Sequence, residues 1–262
     1  AGGARQLYDD PVARERRHPH AMSIVTSWLG DRFHPETVRR LAGDSARLAR
    51  TASEVARLAV SGGYRGLVLD LEGHEPEDLE AMLRVAGALA DSARARGIAT
   101  VALAIPATDT AAYPAAPLLR VADALIVMLY DEHWAGSAPG PTASPAWARH
   151  WLAVRAAEVG PERLVAGLPL YGYQWTGRDT AARTIGWRDA RRVAASAGVP
   201  LARDAASATL TARLPGDWEL WVTDVVLVER LAADARALGV RRLAFWRLGL
   251  EDPAVWEGVL RR

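Results

Sequence analysis

The sequence predicts an α/β fold in which a parallel sheet is wrapped by helices. Two observations carry this: six short apolar runs rich in Val, Ile and Leu, and longer amphipathic stretches between them. A run that is apolar throughout suits a strand buried on both faces, the usual condition in a parallel sheet. Strand and helix patterns alternate about five times, which argues for crossover connections and not for hairpins. An α/β barrel and a doubly wound sheet both satisfy the pattern. No GxGxxG follows a strand, so a dinucleotide fold has no support.

In order, the predicted strands are 22–28 (MSIVTSW), 66–71 (GLVLDL), 100–105 (TVALAI), 124–130 (ALIVMLY), 164–170 (LVAGLPL) and 242–246 (RLAFW). Helical spacing of apolar residues covers 35–60 and 76–97, with acids early and Arg late, as the helix dipole favours. The same spacing covers 144–159, 187–197 and 226–238, and Gly follows several of these segments. The stretch 171–240 is too long for one crossover. Its alternating segments 208–214 and 218–222 predict a small antiparallel insertion within about 173–225. With no repeat, low-complexity linker or boundary visible, 1–262 reads as a single domain with a polar N-terminal segment at 1–20.

Composition removes chemistries. The chain has 262 residues, 50% hydrophobic and 24% charged, and contains no Cys, no Lys and no Asn. A disulfide frame, a thiol nucleophile, a Cys-ligated metal, a Schiff-base lysine and a Walker-type phosphate loop are therefore excluded. Net charge is +1, and the Arg residues interleave with acids at helical spacing, as solvated helix faces do. Only Arg14, Arg16 and Arg17 cluster, so nucleic acid is not an expected partner. No apolar run is long enough to span a membrane, and residues 1–20 lack the apolar centre of a secretory signal. The six His residues show no metal-ligand spacing (His18 and His20 form only a weak pair), and there is no GxSxG. No metal or cofactor is expected.

In parallel α/β folds chemistry gathers at the carboxyl ends of strands. Here one strand closes on Asp70-Leu71-Glu72. Residues two apart share a face about 6–7 Å apart, so both carboxyls point the same way. Like charges that close push one pKa up, the condition for an acid that stays protonated near neutral pH. Alternatively, Glu72 opens the acidic loop 72–78 and lies in solvent. A later strand ends in Met128-Leu129-Tyr130-Asp131, with Met128 and Tyr130 on one face. Tyr130 is either a fixed hydrogen-bond donor or a core tyrosine bonded to a backbone carbonyl. Aromatics recur at the same ends: Trp28, Trp134, Tyr171, Tyr173, Trp175 and Trp246. Flat indoles beside acids suit sugar rings, although some Trp falls there by chance in a chain with ten.

These residues resemble the family 18 glycoside hydrolases, the chitinase family. Its DxxDxDxE signature aligns with 65–72 (RGLVLDLE), matching Asp70 and Glu72 but with Arg65 and Val68 at the first two acidic positions. MxYD is complete at 128–131, G-x-P-x-Y-G appears at 167–172, and the eighth-strand Trp appears as Trp246. The stretch 130–141 (YDEHWAGSAPGP) resembles family 18 modules fused to bacterial polysaccharide deacetylases and glycosyltransferases.

The resemblance implies an α/β fold of the (β/α)8 TIM-barrel type that lacks or modifies the first two strands, with a small insertion between strands seven and eight. It further implies a glycosidase acting on β-linked N-acetylglucosamine polymers (chitin, peptidoglycan or a related exopolysaccharide) by retaining, substrate-assisted catalysis. Glu72 would protonate the glycosidic oxygen, and Asp70 would accept the acetamido N–H. Tyr130 would bond the acetamido oxygen, and Asp131 would help hold the distorted sugar. Trp246 would floor the cleavage subsite, with Met128, Trp28, Tyr171, Trp134 and Trp175 as further substrate contacts. Val68 replaces an acid that bonds the Asp70 position in the family, so altered proton sharing is expected and inactivation is not. An extracellular or envelope location within a larger multidomain protein follows from the same resemblance. The competing readings are a non-catalytic sugar-binding module and a fold-only interaction domain.

Overall fold

The computed structural model describes residues 20–177 and 182–258. The Arg14, Arg16 and Arg17 cluster, His18 and most of the polar segment at 1–20 lie outside the described residues, as do four positions of the expected insertion. Two compact units divide the chain, Ala1–Ile126 and Val127–Arg262.

Among the described residues the first unit runs from β1 (Met22–Thr26) through a short hairpin of β2 (Trp28–Leu29) and β3 (Arg32–Phe33) to two helices. The expected single helix over 35–60 is in fact Pro35–Ala42 and Ser45–Ser61. The break at Gly43-Asp44 has a local cause: the Asp44 carboxylate accepts from the Arg47 N–H and caps a new helix. That second helix buries Leu48, Ala52, Val55, Ala56 and Ala59, one stripe at three- and four-residue spacing. β4 (Gly66–Asp70) lies parallel to β1 in the register Thr26↔Asp70. After a single 3-10 turn at Pro76–Asp78, the helix Leu79–Arg94 crosses back to β5 (Thr100–Pro106), which pairs parallel to β4. Only a short helix, Ala115–Leu118, connects β5 to β6 (Ala124–Met128).

The second unit carries the helix Pro145–Val159, then β7 (Leu164–Pro169) and, later in the chain, β13 (Arg242–Trp246) parallel to β7, followed by a short helix at Val255–Gly258. Between β7 and β13 lies a separate antiparallel sheet. It comprises β8 (Tyr171–Thr176), β9 (Arg183–Gly186), β10 (Ala202–Arg203), β11 (Leu210–Leu214) and β12 (Trp218–Val222), in the order β10-β11-β12-β8-β9. The alternating segments at 208–214 and 218–222 thus form β11 and β12, paired antiparallel. β8 and β9 also belong to this sheet, so it starts earlier than 173. The helix Trp187–Ser196 covers one face of it through Ala190 and Ala194, against Ile185, Leu220 and Val222. The helix Val225–Ala237 follows, capped by Asp224, which accepts from the Leu227 N–H and pairs with Arg203.

Among the described residues six parallel strands are hydrogen-bonded in the order β1-β4-β5-β6-β7-β13. Consecutive strand neighbours joined by crossovers are the topology that the sequence pattern implies. Ile24, in the middle of β1 at one end of that order, is 53% exposed, unlike the fully buried Leu67, Leu69, Val101 and Leu103 of β4 and β5.

Candidate active site

In the first unit the site residues sit where β4 ends. Parallel pairing places Thr26 opposite Asp70, and the Ser27 N–H donates to the Asp70 carbonyl at 3.2 Å, extending the ladder by one bond. The Asp70 carboxyl hydrogen-bonds with the Thr26 hydroxyl and with the Glu72 carboxyl. The Thr26 oxygen itself accepts from the Trp28 N–H at 3.0 Å, leaving its proton free to face Asp70. Burial pushes the Asp70 pKa up, and the bonds from Thr26 and Glu72 oppose that rise without cancelling it. Glu72 is half-buried and bonded to Asp70, which decides against the solvated-loop alternative. Val68, two residues earlier on the same face of β4, brings no polar atom to the pair.

The loop after Glu72 turns through Gly73, whose φ of +78° is left-handed backbone that a side chain would strain. Beyond it His74 is buried, 3.5 Å from the Asp78 carboxylate, and Arg39 donates to that carboxylate at 2.7 Å. Burial alone would raise the Asp78 pKa, but the Arg39 guanidinium and the Glu75 N–H hold it below the usual range. Burial keeps the His74 imidazole below its ordinary pKa.

In the second unit β6 ends at Met128, which is buried, and the Leu129 N–H reaches the Gly167 carbonyl at 2.9 Å. Tyr130 packs edge-on against Tyr171, with ring centroids 6.2 Å apart. Asp131 has a φ of 64°, a left-handed conformation that Asp tolerates better than most residues. One oxygen of Asp131 accepts two phenols, Tyr171 at 2.6 Å and Tyr173 at 2.9 Å. Asp131 has an exposed side, yet burial of its carboxyl raises the pKa while the two phenol bonds hold it down. Burial raises both tyrosine pKa values, with the Asp131 charge adding to the effect, so the phenols remain donors at any working pH.

This arrangement follows from strand periodicity. Tyr171, Tyr173 and Trp175 alternate on one face of β8 and form a buried aromatic row, while Gly172 and Gln174 face the other way. The Trp175 indole N–H is spent on the Ser137 carbonyl at 2.9 Å, and the ring is only 2% exposed. This corrects the expectation of a sugar-facing surface for Trp175, and the phenol of Tyr171, also buried, is likewise committed to Asp131. Their burial makes them the support behind the Tyr130-Asp131 turn. Trp134 and Trp246, by contrast, are 53% and 45% exposed, as is Trp28 in the first unit at 43%. Trp28 rests edge-on against Phe33 at 4.9 Å. Among the described residues no three His, Asp or Glu side chains group to hold a metal ion.

Two contributors escaped the sequence reading as site residues: Thr26 and Tyr173. Tyr173 carried a usable signal, because it shares a strand face with Tyr171. Thr26 acts through a partner far away in sequence.

No family model matches the chain. Over 262 residues it is 24% identical to a cortical fragment-lytic enzyme of Bacillus subtilis (strain 168), covering 92% of this chain and 60% of that protein. Its structure is similar to a chitinase from Chromobacterium violaceum, with a TM-score of 0.82 and 22% identity over 95% of this chain and 81% of that one. The spore cortex-lytic enzyme SleL of Bacillus cereus also has a TM-score of 0.82, with 18% identity over 92% of this chain and 58% of that one. The chain has the fold of these chitinase and cortex-lytic structures. It spans 64% and 60% of the length of two curated Bacillus subtilis relatives. Three of the sequence motifs singled out above fall at strand ends: Asp70 closes β4, Met128 closes β6 and Trp246 closes β13.

Proposed function

We propose that the chain is a glycosidase that cleaves β-linked N-acetylglucosamine-containing polysaccharide with retention of configuration and with the substrate's own amide as nucleophile. The observation that carries this reading is the carboxyl pair at the end of β4. Asp70 and Glu72 are hydrogen-bonded to each other, and the Asp70 pKa is raised by burial. Two hydrogen-bonded carboxyls can share one proton between them, which is the arrangement a general acid requires. Glu72 donates that proton to the glycosidic oxygen. As the acetamido carbonyl closes on the anomeric carbon, Asp70 takes the N–H and balances the positive oxazolinium. Tyr130 donates to the acetamido oxygen, and Asp131, held by Tyr171 and Tyr173, binds a sugar hydroxyl. Trp246, Trp28 and Trp134 offer exposed indole faces for sugar rings.

The names of the relatives favour a cell-wall polymer, hence an extracellular or envelope location: one is a cortical fragment-lytic enzyme and one a spore cortex-lytic enzyme. Other similar structures are chitinases, so chitin belongs in the same test. Glu72→Gln keeps the shape and removes the acid. Assayed on a chromogenic N-acetylglucosamine oligomer, it should lose about a hundredfold or more in kcat. Activity near the parent's would end the assignment. Product analysis on chitin, peptidoglycan and an N-acetylglucosamine exopolysaccharide separates the polymers. The apolar Val68 favours one second reading, a sugar-binding module without turnover, which predicts oligomer binding with no release of reducing ends.

A further inference from the structure

We propose that Tyr113 is a positioning residue for the Glu72 acid, clasping the loop that carries it. The proposal deepens the glycosidase reading and rests on it. β4 ends at Asp70, so the sheet ladder no longer fixes the backbone where Glu72 sits. The next two anchors come from one phenol. The Tyr113 hydroxyl donates to the Leu71 carbonyl at 3.1 Å and accepts from the His74 N–H, also at 3.1 Å. Those two backbone groups flank Glu72 and Gly73, so a single oxygen closes the turn on both sides of the acid. A hydroxyl is the only neutral side-chain group that can donate and accept in this way from one atom.

Tyr113 is itself held rigidly. It is 1% exposed, its ring meets His74 edge-on at 6.3 Å, and its N–H donates to the Asp109 carbonyl. The Asp109 carboxylate accepts from the Ala112 N–H at 3.0 Å and fixes the turn from which Tyr113 projects. This turn follows β5, the strand beside β4, so the clasp ties the acid's loop to the neighbouring strand end. The bond between Glu72 and Asp70 needs the Glu72 side chain to fold back along β4, and that direction is set by the backbone the clasp holds. The titratable and charged groups around the loop are Asp70 on β4, Asp109 and Tyr113 after β5, and His74 and Asp78 with Arg39 beyond it.

Tyr113→Phe removes the oxygen and keeps the ring. Both backbone bonds are lost with it, and kcat should fall roughly tenfold, with KM within about twofold of the parent. Losing the Glu72 bond removes an interaction that holds the Asp70 pKa down, so Asp70 should ionise at higher pH and the kcat–pH profile should shift. Exchange of the His74 amide hydrogen should also accelerate, a readout independent of activity. Tyr113→Met, which fills the space without a hydroxyl, should behave the same way and stands in if the Phe variant does not fold. Parental kcat, pH profile and exchange in a folded variant would overturn the proposal. So would a loss of activity that only tracks a lower melting temperature with the pH profile unmoved. Glu72→Gln is measured alongside: if it stays active, the glycosidase reading fails and this proposal with it, whereas an inactive Glu72→Gln beside a normal Tyr113→Phe overturns the clasp alone.

Discussion

Asp70 shows how a residue can serve chemistry against stability. Its folded-state pKa is raised, chiefly by burial, so ionising it costs the folded protein free energy. By linkage, that cost is absent below the ordinary carboxylate value and grows as pH rises through the raised folded value. Asp70→Asn should therefore melt at a higher temperature than the parent at pH about 7 and no higher at pH about 3, while turnover collapses. Thermal melts at the two pH values decide it, and an equal change at both would contradict the sign. Asp131 has the same balance with a different partner set. Its two phenol donors lower a pKa that burial raises. Tyr173→Phe removes one donor, so the Asp131 pKa should rise further, and stability should drop by about 1 kcal/mol. A carboxyl carbon titration followed by NMR would show the shift, and a fall in the Asp131 pKa would refute it. Of these residues, Asp70 and Glu72 were legible in the sequence because two-residue spacing on a strand puts them on one face. Thr26 and Tyr113 were not. Thr26 meets Asp70 only through the β1–β4 register, and Tyr113 reaches Leu71 across 42 positions of chain.

At the scale of elements, β8 holds the second half of the candidate residues in place. Its aromatic face backs Asp131, and its edge pairs antiparallel with β12. Gly172 makes that approach possible, because a Cβ there would lie 1.9 Å from the Trp221 carbonyl oxygen. Gly172→Ala should open the β8–β12 ladder and destabilise by at least the ~1–3 kcal/mol typical of overpacked cores. Chemical denaturation measures the loss, and a variant as stable as the parent would show that the sheet can shift to admit the methyl. The aromatic row displaced from Asp131 should lower activity as well. Element positions were read well where apolar runs or alternation were strong, as in β4, β5 and β11. The single helix expected over 35–60 failed at Gly43-Asp44, where a capping carboxylate competed successfully with apolar periodicity. β8 was left inside the long stretch 171–240, because the strand predicted over 164–170 stops immediately before it.

For the whole molecule, the proposed chemistry makes a stereochemical commitment. If the substrate's amide is the nucleophile, two inversions at the anomeric carbon leave the first product as the β-anomer. Proton NMR of the parent enzyme on an N-acetylglucosamine oligomer should show β before mutarotation, and an initial α-anomer would exclude the mechanism. The absence of Cys and Lys is compatible with this scheme, which uses carboxylates, a tyrosine and the substrate itself. By itself the sequence determined the fold class, the strand ends that carry polar groups and the carboxyl pair at 70 and 72, because strand and helix periods are local and show in the order of side chains. Tertiary structure alone decided which aromatics face solvent and which stand behind Asp131. It also decided that Thr26 bonds Asp70 and that one phenol closes the loop of the acid. Those outcomes depend on which strands become neighbours and in what register, and hydrogen bonds made across that distance leave no periodic trace in the chain.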